Sequence, residues 1–212
     1  MRRARSRKHK GPGNRRQDML HAAAHLFSTC GFDGTSMRMV AERARVRAAS
    51  LYYHFPSKAE MLVAVYEESA RSMSGYVQDA IGEERDPWQR LELAWAAHLR
   101  ALLGGIDFVQ VAFSESPRRF RAGLRDRLIA ERDRYEKIFL DLVDALPIRG
   151  TMTRKYFKLT LFGAGAWSRM WYRPEGADTP ETIAANIMAI VRSGVESSPL
   201  DARVRSAAVA RR

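Results

Sequence analysis

From residue 14 onward the apolar positions recur every three or four residues, the period of helices buried along one side. Leu20, Ala23, Ala24, Phe27 and Cys30 make the first stripe, with Asn14 and Gln17 as N-terminal cap and reciprocal partner and Gly31 as the stop. A second, short helix starts at Thr35 or Ser36 and turns Met37, Val40, Ala41 and Ala44 inward. A third spans about residues 47–54 and ends before Pro56, because the residue preceding proline is pushed out of the helical region. Ser57-Lys58-Ala59-Glu60 has the form of a capping box, opening a longer helix that carries Met61, Leu62, Val65, Tyr66, Met73 and Val77. Asp86-Pro87 opens a fifth helix, which stops at Gly104-Gly105.

After a short segment, Pro117 is predicted to open a long charged helix ending near Pro147. Residues 151–173 form another, stopped by Pro174, and Thr179-Pro180-Glu181 opens the last, which runs to about Glu196. No stretch alternates with the period of a half-buried strand. The chain is therefore read as all-α, with about nine helices. The expected division is a basic disordered arm over 1–13, a helix-turn-helix module over 14–66, a larger helical domain over 67–197, and a disordered tail over 198–212.

Charge sharpens this division. Residues 1–66 hold 13 Lys/Arg against 4 Asp/Glu, while residues 67–212 hold 23 against 20. Most of the net +12 thus lies with the first module, where it attracts polyanions without conferring sequence preference. No apolar run approaches the ~20 residues of a membrane span, and the charged N-terminus lacks the apolar core of a signal peptide. The single Cys30 excludes an internal disulfide and a cysteine-based zinc site. A cytoplasmic protein is expected. His21 and His25 are four apart on one helix, a spacing that could bind a metal, but no acidic residue accompanies them and no metal or cofactor is expected. Without a phosphate-binding glycine loop, a G-x-S-x-G elbow or a nucleophile beside a base, the chain is not read as an enzyme.

The second and third helices meet at a tight turn near Arg45-Val46. With Val46 and Leu51 turned inward, Arg47, Ala48, Ser50, Tyr53 and His54 remain available to solvent or to DNA. Small residues at Ala48 and Ala49 let the start of the third helix approach a major groove. Ser50 can bond a base edge or a phosphate, and Tyr52 and Tyr53 offer a hydroxyl to phosphate and a ring face to a thymine methyl. Lys58 would clamp a further phosphate.

Over about residues 16–66 the chain resembles the TetR family of one-component bacterial regulators. The resemblance is carried by Ala23, Phe27, Gly31, Phe32, Thr35, Val40, Ala41, Ala44 and Val46, and above all by Leu51-Tyr52-Tyr53-His54-Phe55-Pro56-Ser57-Lys58 followed by Leu62. It implies DNA contact at Arg38, Ala48, Ala49, Ser50, Tyr52, Tyr53, His54 and Lys58; Thr35, Ser36 and Arg47, at the helix starts, complete the candidate set. Two positions depart from the family pattern. Arg45 stands where glycine is usual and must tolerate the turn's backbone at a cost of about 1 kcal/mol, and Arg47 replaces the usual Ser or Thr cap.

The resemblance further implies an effector-binding domain and a homodimer formed through the last two helices. Leu161-Phe162-Gly163-Ala164-Gly165-Ala166 fits the close approach of another backbone or a ligand, and Ile183, Ala184, Ile187, Met188, Ile190 and Val191 give the final helix an apolar face. After Trp167 and Met170, the stretch Trp171-Tyr172-Arg173-Pro174-Glu175-Gly176, followed by Thr179-Pro180-Glu181 and an apolar helix, resembles TetR-type regulators of fatty-acid, acyl-CoA and steroid catabolism. Trp95, Phe108, Phe113, Phe162, Trp167, Met170 and Trp171 are the candidate pocket walls, although core packing alone would use such residues too. Arg118, Arg119, Arg121 and Arg125 are candidate partners for CoA phosphates, with a solvated helix face as the plainer reading. The expected partners are thus a double-stranded DNA operator, an apolar effector such as a fatty acyl-CoA or steroid-CoA, and a second copy of the chain. The rival is a protein that coats DNA without sequence preference through its basic arm.

Overall fold

The computed structural model describes residues 12–147 and 154–196, so nearly all of the expected arm and the whole 198–212 tail lie outside the described residues. The chain runs α1 (Pro12–Gly34), α2 (Met37–Ala44), α3 (Ala48–His54), α4 (Lys58–Ile81), α5 (Pro87–Leu103), α6 (Asp107–Ser114), a 3-10 turn (Pro117–Arg119), α7 (Ala122–Asp144), α8 (Arg154–Trp171) and α9 (Pro180–Glu196). No strand occurs among the described residues, and no single helix there is long and apolar enough to cross a membrane.

Caps set most of the boundaries. Ser36, Ser57 and Asp86 each accept the amide three residues on, which satisfies one of the donors a helix start leaves open. Thr179 accepts the Thr182 amide at 3.1 Å ahead of α9. Gly31, at φ 72°, breaks α1 where its stop was expected. Three sequence-based expectations need correction. The first helix begins at Pro12 rather than Asn14, because proline suits a first position whose N–H has no intrahelical partner. Pro117 opens only a 3-10 turn; the chain then extends at Phe120, whose ring packs edge-on against Phe32 at 5.1 Å, and the long helix starts at Ala122. Glu60 does not complete a capping box, since its carboxylate takes both nitrogens of Arg127 at 2.5 and 2.9 Å.

Two apolar cores result, and the first does not stop at residue 66. Phe27, Leu51, Phe55, Met61 and Leu62 share it with Phe108 and Val111 of α6 and Leu128 of α7. The second is built around Trp95, fully buried, with Leu91, Leu99, Phe139, Leu161 and Met188. Gly165 serves that ring: a Cβ there would come within 2.7 Å of Trp95. The close approach anticipated for the small residues of α8 is therefore made, at this position, by an indole of the same chain.

At the α2–α3 turn, Arg45 takes φ 55° and ψ 42°, the only positive φ of a non-glycine among the described residues. Its amide reaches back to Ala41 and Glu42, and the Val46 amide bonds the Ala41 carbonyl at 3.0 Å, so this left-handed residue closes α2. Its Cβ is crowded in that region, whereas glycine is not. Arg45→Gly should therefore raise unfolding free energy by about 0.5–1 kcal/mol, net of the extra freedom glycine has when unfolded. The check is a urea titration, with a higher midpoint at unchanged slope; a midpoint that falls would show that the arginine is not strained there.

Candidate nucleic-acid interface and ligand pocket

Leu51 is completely buried beneath α3, with Val40 and Ala41 of α2 in the same core, and Val46 packs at its edge. That anchoring leaves the other face of α3 outward. Tyr53 is 84% exposed and Tyr52 51%; Arg47, Ala48 and Ala49 are exposed, and Ser50 and His54 half-buried. Arg47 caps α3 with its backbone only and makes no side-chain hydrogen bond there, so its guanidinium is not drawn back onto the helix end. Arg38 is exposed but paired with Glu42 at 2.9 Å. Ser36 is exposed, with its oxygen engaged by the Met39 amide.

Two of the expected contact residues are occupied inside the protein. Thr35 is 2% exposed, and its hydroxyl donates to the carbonyls of Leu26 and Gly31, closing the broken end of α1. Lys58 donates to the carbonyls of Phe32 and Thr35, both at 2.8 Å, with its ammonium over the Phe32 ring at 4.3 Å. Helix ends carry carbonyls without intrahelical partners, and these two claim a cation that was expected to face phosphate. Conversely, Arg16 lies over Phe55 at 5.1 Å, which brings a cation from α1 to the end of α3. No local pattern in the sequence marks that contact.

The segment between α1 and α2 is held from its other side as well. The Phe32 amide donates to Glu115 Oε1 at 2.6 Å. Glu115 is 3% exposed, and Arg119 donates to its second oxygen at 2.7 Å while pairing with Asp33 through the other guanidinium nitrogen. The Tyr66 hydroxyl donates to the Glu115 carbonyl, and burial raises the pKa of that phenol. Nearby, His25 and Ser28 of α1 reach Asp107 at 3.1 and 2.7 Å, and His21 stands edge-on to Phe108 at 5.0 Å. The two histidines thus have separate packing partners.

Against the same wall lies a cavity of about 250 Å³. Tyr66 and Met73 of α4, Phe113, the Glu115–Pro117 segment, Glu131 and Tyr135 of α7 and Phe162 of α8 line it. Of the candidate pocket walls, Phe113 and Phe162 line this cavity. Trp95 is a core residue behind Phe162, with ring centroids 6.0 Å apart, and Phe108 belongs to the first core. Trp167, Met170 and Trp171 do not reach the cavity. Because α8 turns Phe157, Leu161, Gly165 and Ser168 inward, its 3.6-residue period carries those three outward, at 66%, 74% and 45% exposure. Tyr156 and Leu159 of the same helix and Ile190 of α9 are exposed as well. Of the four arginines considered for CoA phosphates, Arg119 and Arg125 are in ion pairs, whereas Arg118 and Arg121 are exposed and make none among the described residues.

Both halves of the chain match known families. Residues 19–65 match the family described as bacterial regulatory proteins, tetR family, and residues 84–195 match the tetracyclin repressor-like C-terminal domain. The chain is similar to the HTH-type transcriptional repressor KstR2 of Mycolicibacterium smegmatis, with 24% identity over 199 residues, covering 90% of this chain and 95% of the relative. Its fold is similar to that of AibR in complex with isovaleryl coenzyme A and operator DNA, with TM-score 0.72 and 21% identity over 83% of this chain and 97% of that one. It is likewise similar to the transcriptional regulator FadR from Bacillus subtilis in complex with stearoyl-CoA, with TM-score 0.73 and 17% identity over 84% and 98%. With the N-terminal match covering α2 and α3 and the C-terminal one running from just before α5 into α9, the chain belongs to the TetR family of transcriptional regulators.

Proposed function

We propose that this regulator acts in the cytoplasm as a repressor, binding a palindromic operator as a homodimer and leaving it when a short acyl thioester of CoA enters the cavity. The observation that carries the reading is the outward face of α3, where Tyr53 stands free on a helix whose other side is locked into the core. Arg47, Ala48, Ala49, Ser50, Tyr52 and His54 form the surface offered to the groove, with Arg38 and Ser36 beside it. In a two-fold dimer, two such helices lie about one DNA turn apart and read matching half-sites.

The exposed aromatic and aliphatic side chains along one face of α8 support the dimer, since large apolar surface left open to solvent marks an interaction site. The size of the cavity supports a short effector. About 250 Å³ lies below the roughly 300–1,000 Å³ of drug-sized sites. CoA would remain outside, within reach of Arg118 and Arg121. Glu115 supports a route from cavity to DNA, because one residue both lines the cavity and holds the peptide that leads into α2. Helix α4 adds a second route, since it carries Tyr66 in the cavity wall and Lys58 on the same α1–α2 segment.

Footprinting on the protein's own upstream region with excess competitor DNA is the direct test. A discrete two-fold site supports the reading, and uniform protection would instead favour coating without sequence preference. Tyr53→Ala should weaken binding to that site by about 1–3 kcal/mol, with the urea midpoint unmoved because the side chain touches little of the core. Trp167→Glu should convert dimer to monomer in sedimentation and abolish the two-half-site footprint; a dimer that persists would place the interface elsewhere. Glu115→Ala should speed hydrogen exchange at the Phe32 amide by about tenfold or more and weaken operator binding without effector, with Glu115→Gln milder because it keeps an acceptor. Operator affinity that stays unchanged while that amide opens would remove Glu115 from the coupling.

A further inference from the structure

Tyr135 forms part of the cavity wall and is 5% exposed. Its oxygen lies 2.8 Å from His98 Nδ1. The His98 ring is enclosed by Trp95, Phe113, Phe139 and Phe162, with centroids 4.9 to 6.0 Å away, and its Nε2 has no hydrogen-bond partner. Burial holds the imidazole neutral, with its pKa down at about 3, and pushes the Tyr135 phenol up. One proton therefore belongs to the ring and one to the hydroxyl.

Where the ring proton sits decides what the hydroxyl can do. On Nε2 it would leave an N–H enclosed by rings with no acceptor among the described residues; on Nδ1 the donor left over is the Tyr135 O–H, on a residue that lines the cavity as His98 does not. The enclosed N–H is the costlier of the two, so the network assigns the proton to Nδ1, which donates to the Tyr135 oxygen. The Tyr135 O–H then has no acceptor among the described residues, and the cavity lies beside it. The charge of the lining narrows what could arrive there. Glu115, Glu131 and Glu136 line the cavity with Arg132, which is itself paired with Asp133 and Glu136, so the lining holds no unpaired cation to offset the desolvation of a free carboxylate. Those three carboxylates are already engaged by Arg119, Arg134 and Lys158 at 2.5 to 2.7 Å, so they do not call for a cationic ligand.

We propose that Tyr135 donates its hydroxyl proton to a neutral carbonyl oxygen at the inner end of the effector, and that His98 is the residue that positions it. The proposal rests on the cavity being the effector site and adds the chemistry of what it admits. The faces of Phe113, Phe162 and Met73 hold the alkyl part. On an acyl thioester this oxygen belongs to the acyl chain itself, as an oxo group, because the CoA end stays outside a cavity of this volume.

The test uses the full chain and three seven-carbon probes, 2-heptanone, heptanoate and heptylammonium, followed by calorimetry and by tryptophan fluorescence. 2-Heptanone should bind, the other two at least about tenfold more weakly, and Tyr135→Phe should cost the ketone about tenfold. No ketone binding, equal or better binding of the acid or the amine, or an unaltered ketone affinity in Tyr135→Phe would each overturn the proposal. Should Tyr135→Phe not fold, Glu131→Gln serves in its place: removing one lining charge should improve heptanoate binding, and no improvement counts against the proposal. Operator footprinting reads separately, so loss of the ketone preference with an intact two-fold footprint sinks this inference and leaves the regulator reading standing.

Discussion

Phe32 is gripped by its backbone on both sides, and the geometry of the reading module depends on it. Its amide bonds the buried Glu115 carboxylate, and its carbonyl bonds the Lys58 ammonium. Charged partners make these the stronger kind of hydrogen bond, roughly twice a neutral one. Phe32 follows Gly31, where α1 is broken by a positive φ. The two grips therefore add to the Thr35 amide, which reaches the same carbonyl at 3.3 Å, in holding the segment past the break. From this point the chain has only to pass Thr35, itself tied to Leu26 and Gly31, before Ser36 starts α2.

The same arrangement ties the two halves into one structure. Glu115 ends α6 and lines the cavity, while Lys58 starts α4, which contributes Tyr66 and Met73 to the opposite wall. Phe120 packs on Phe32, and Phe108, Val111 and Leu128 complete the core beneath α1 and α3. A division at residue 66 therefore cuts through a shared core. Movement of the wall at Glu115–Pro117 has a short path to the reading helices, through side chains that are already in contact.

Much of this was legible in the sequence. The inward stripes of α1, α2 and α4, the caps at Ser36, Ser57 and Asp86, and the stops at Gly31 and Gly104 are local signals set by helical period and backbone sterics. The strained Arg45 was legible too, because a glycine position occupied by arginine is visible without coordinates. What the sequence misjudged were particular cases of which helix face met which neighbour. Trp167, Met170 and Trp171 looked like pocket walls, yet the inward face of α8 was already taken by Phe157, Leu161 and Gly165. Lys58 looked like a free cation, because the open carbonyls that claim it are 26 and 23 residues earlier in the chain.

By itself the sequence determined the all-helical architecture, the place of the reading helices and the concentration of positive charge around them, since each follows from spacing and residue type along a few turns. Tertiary structure alone decided which polar groups are spent inside the fold and which are left to a partner. Thr35, Lys58 and Glu115 are engaged by backbone groups that helix ends leave unsatisfied, whereas Tyr53 and the outer aromatics of α8 are not. A buried donor or acceptor takes the nearest partner that packing supplies, and packing brings together residues far apart in sequence.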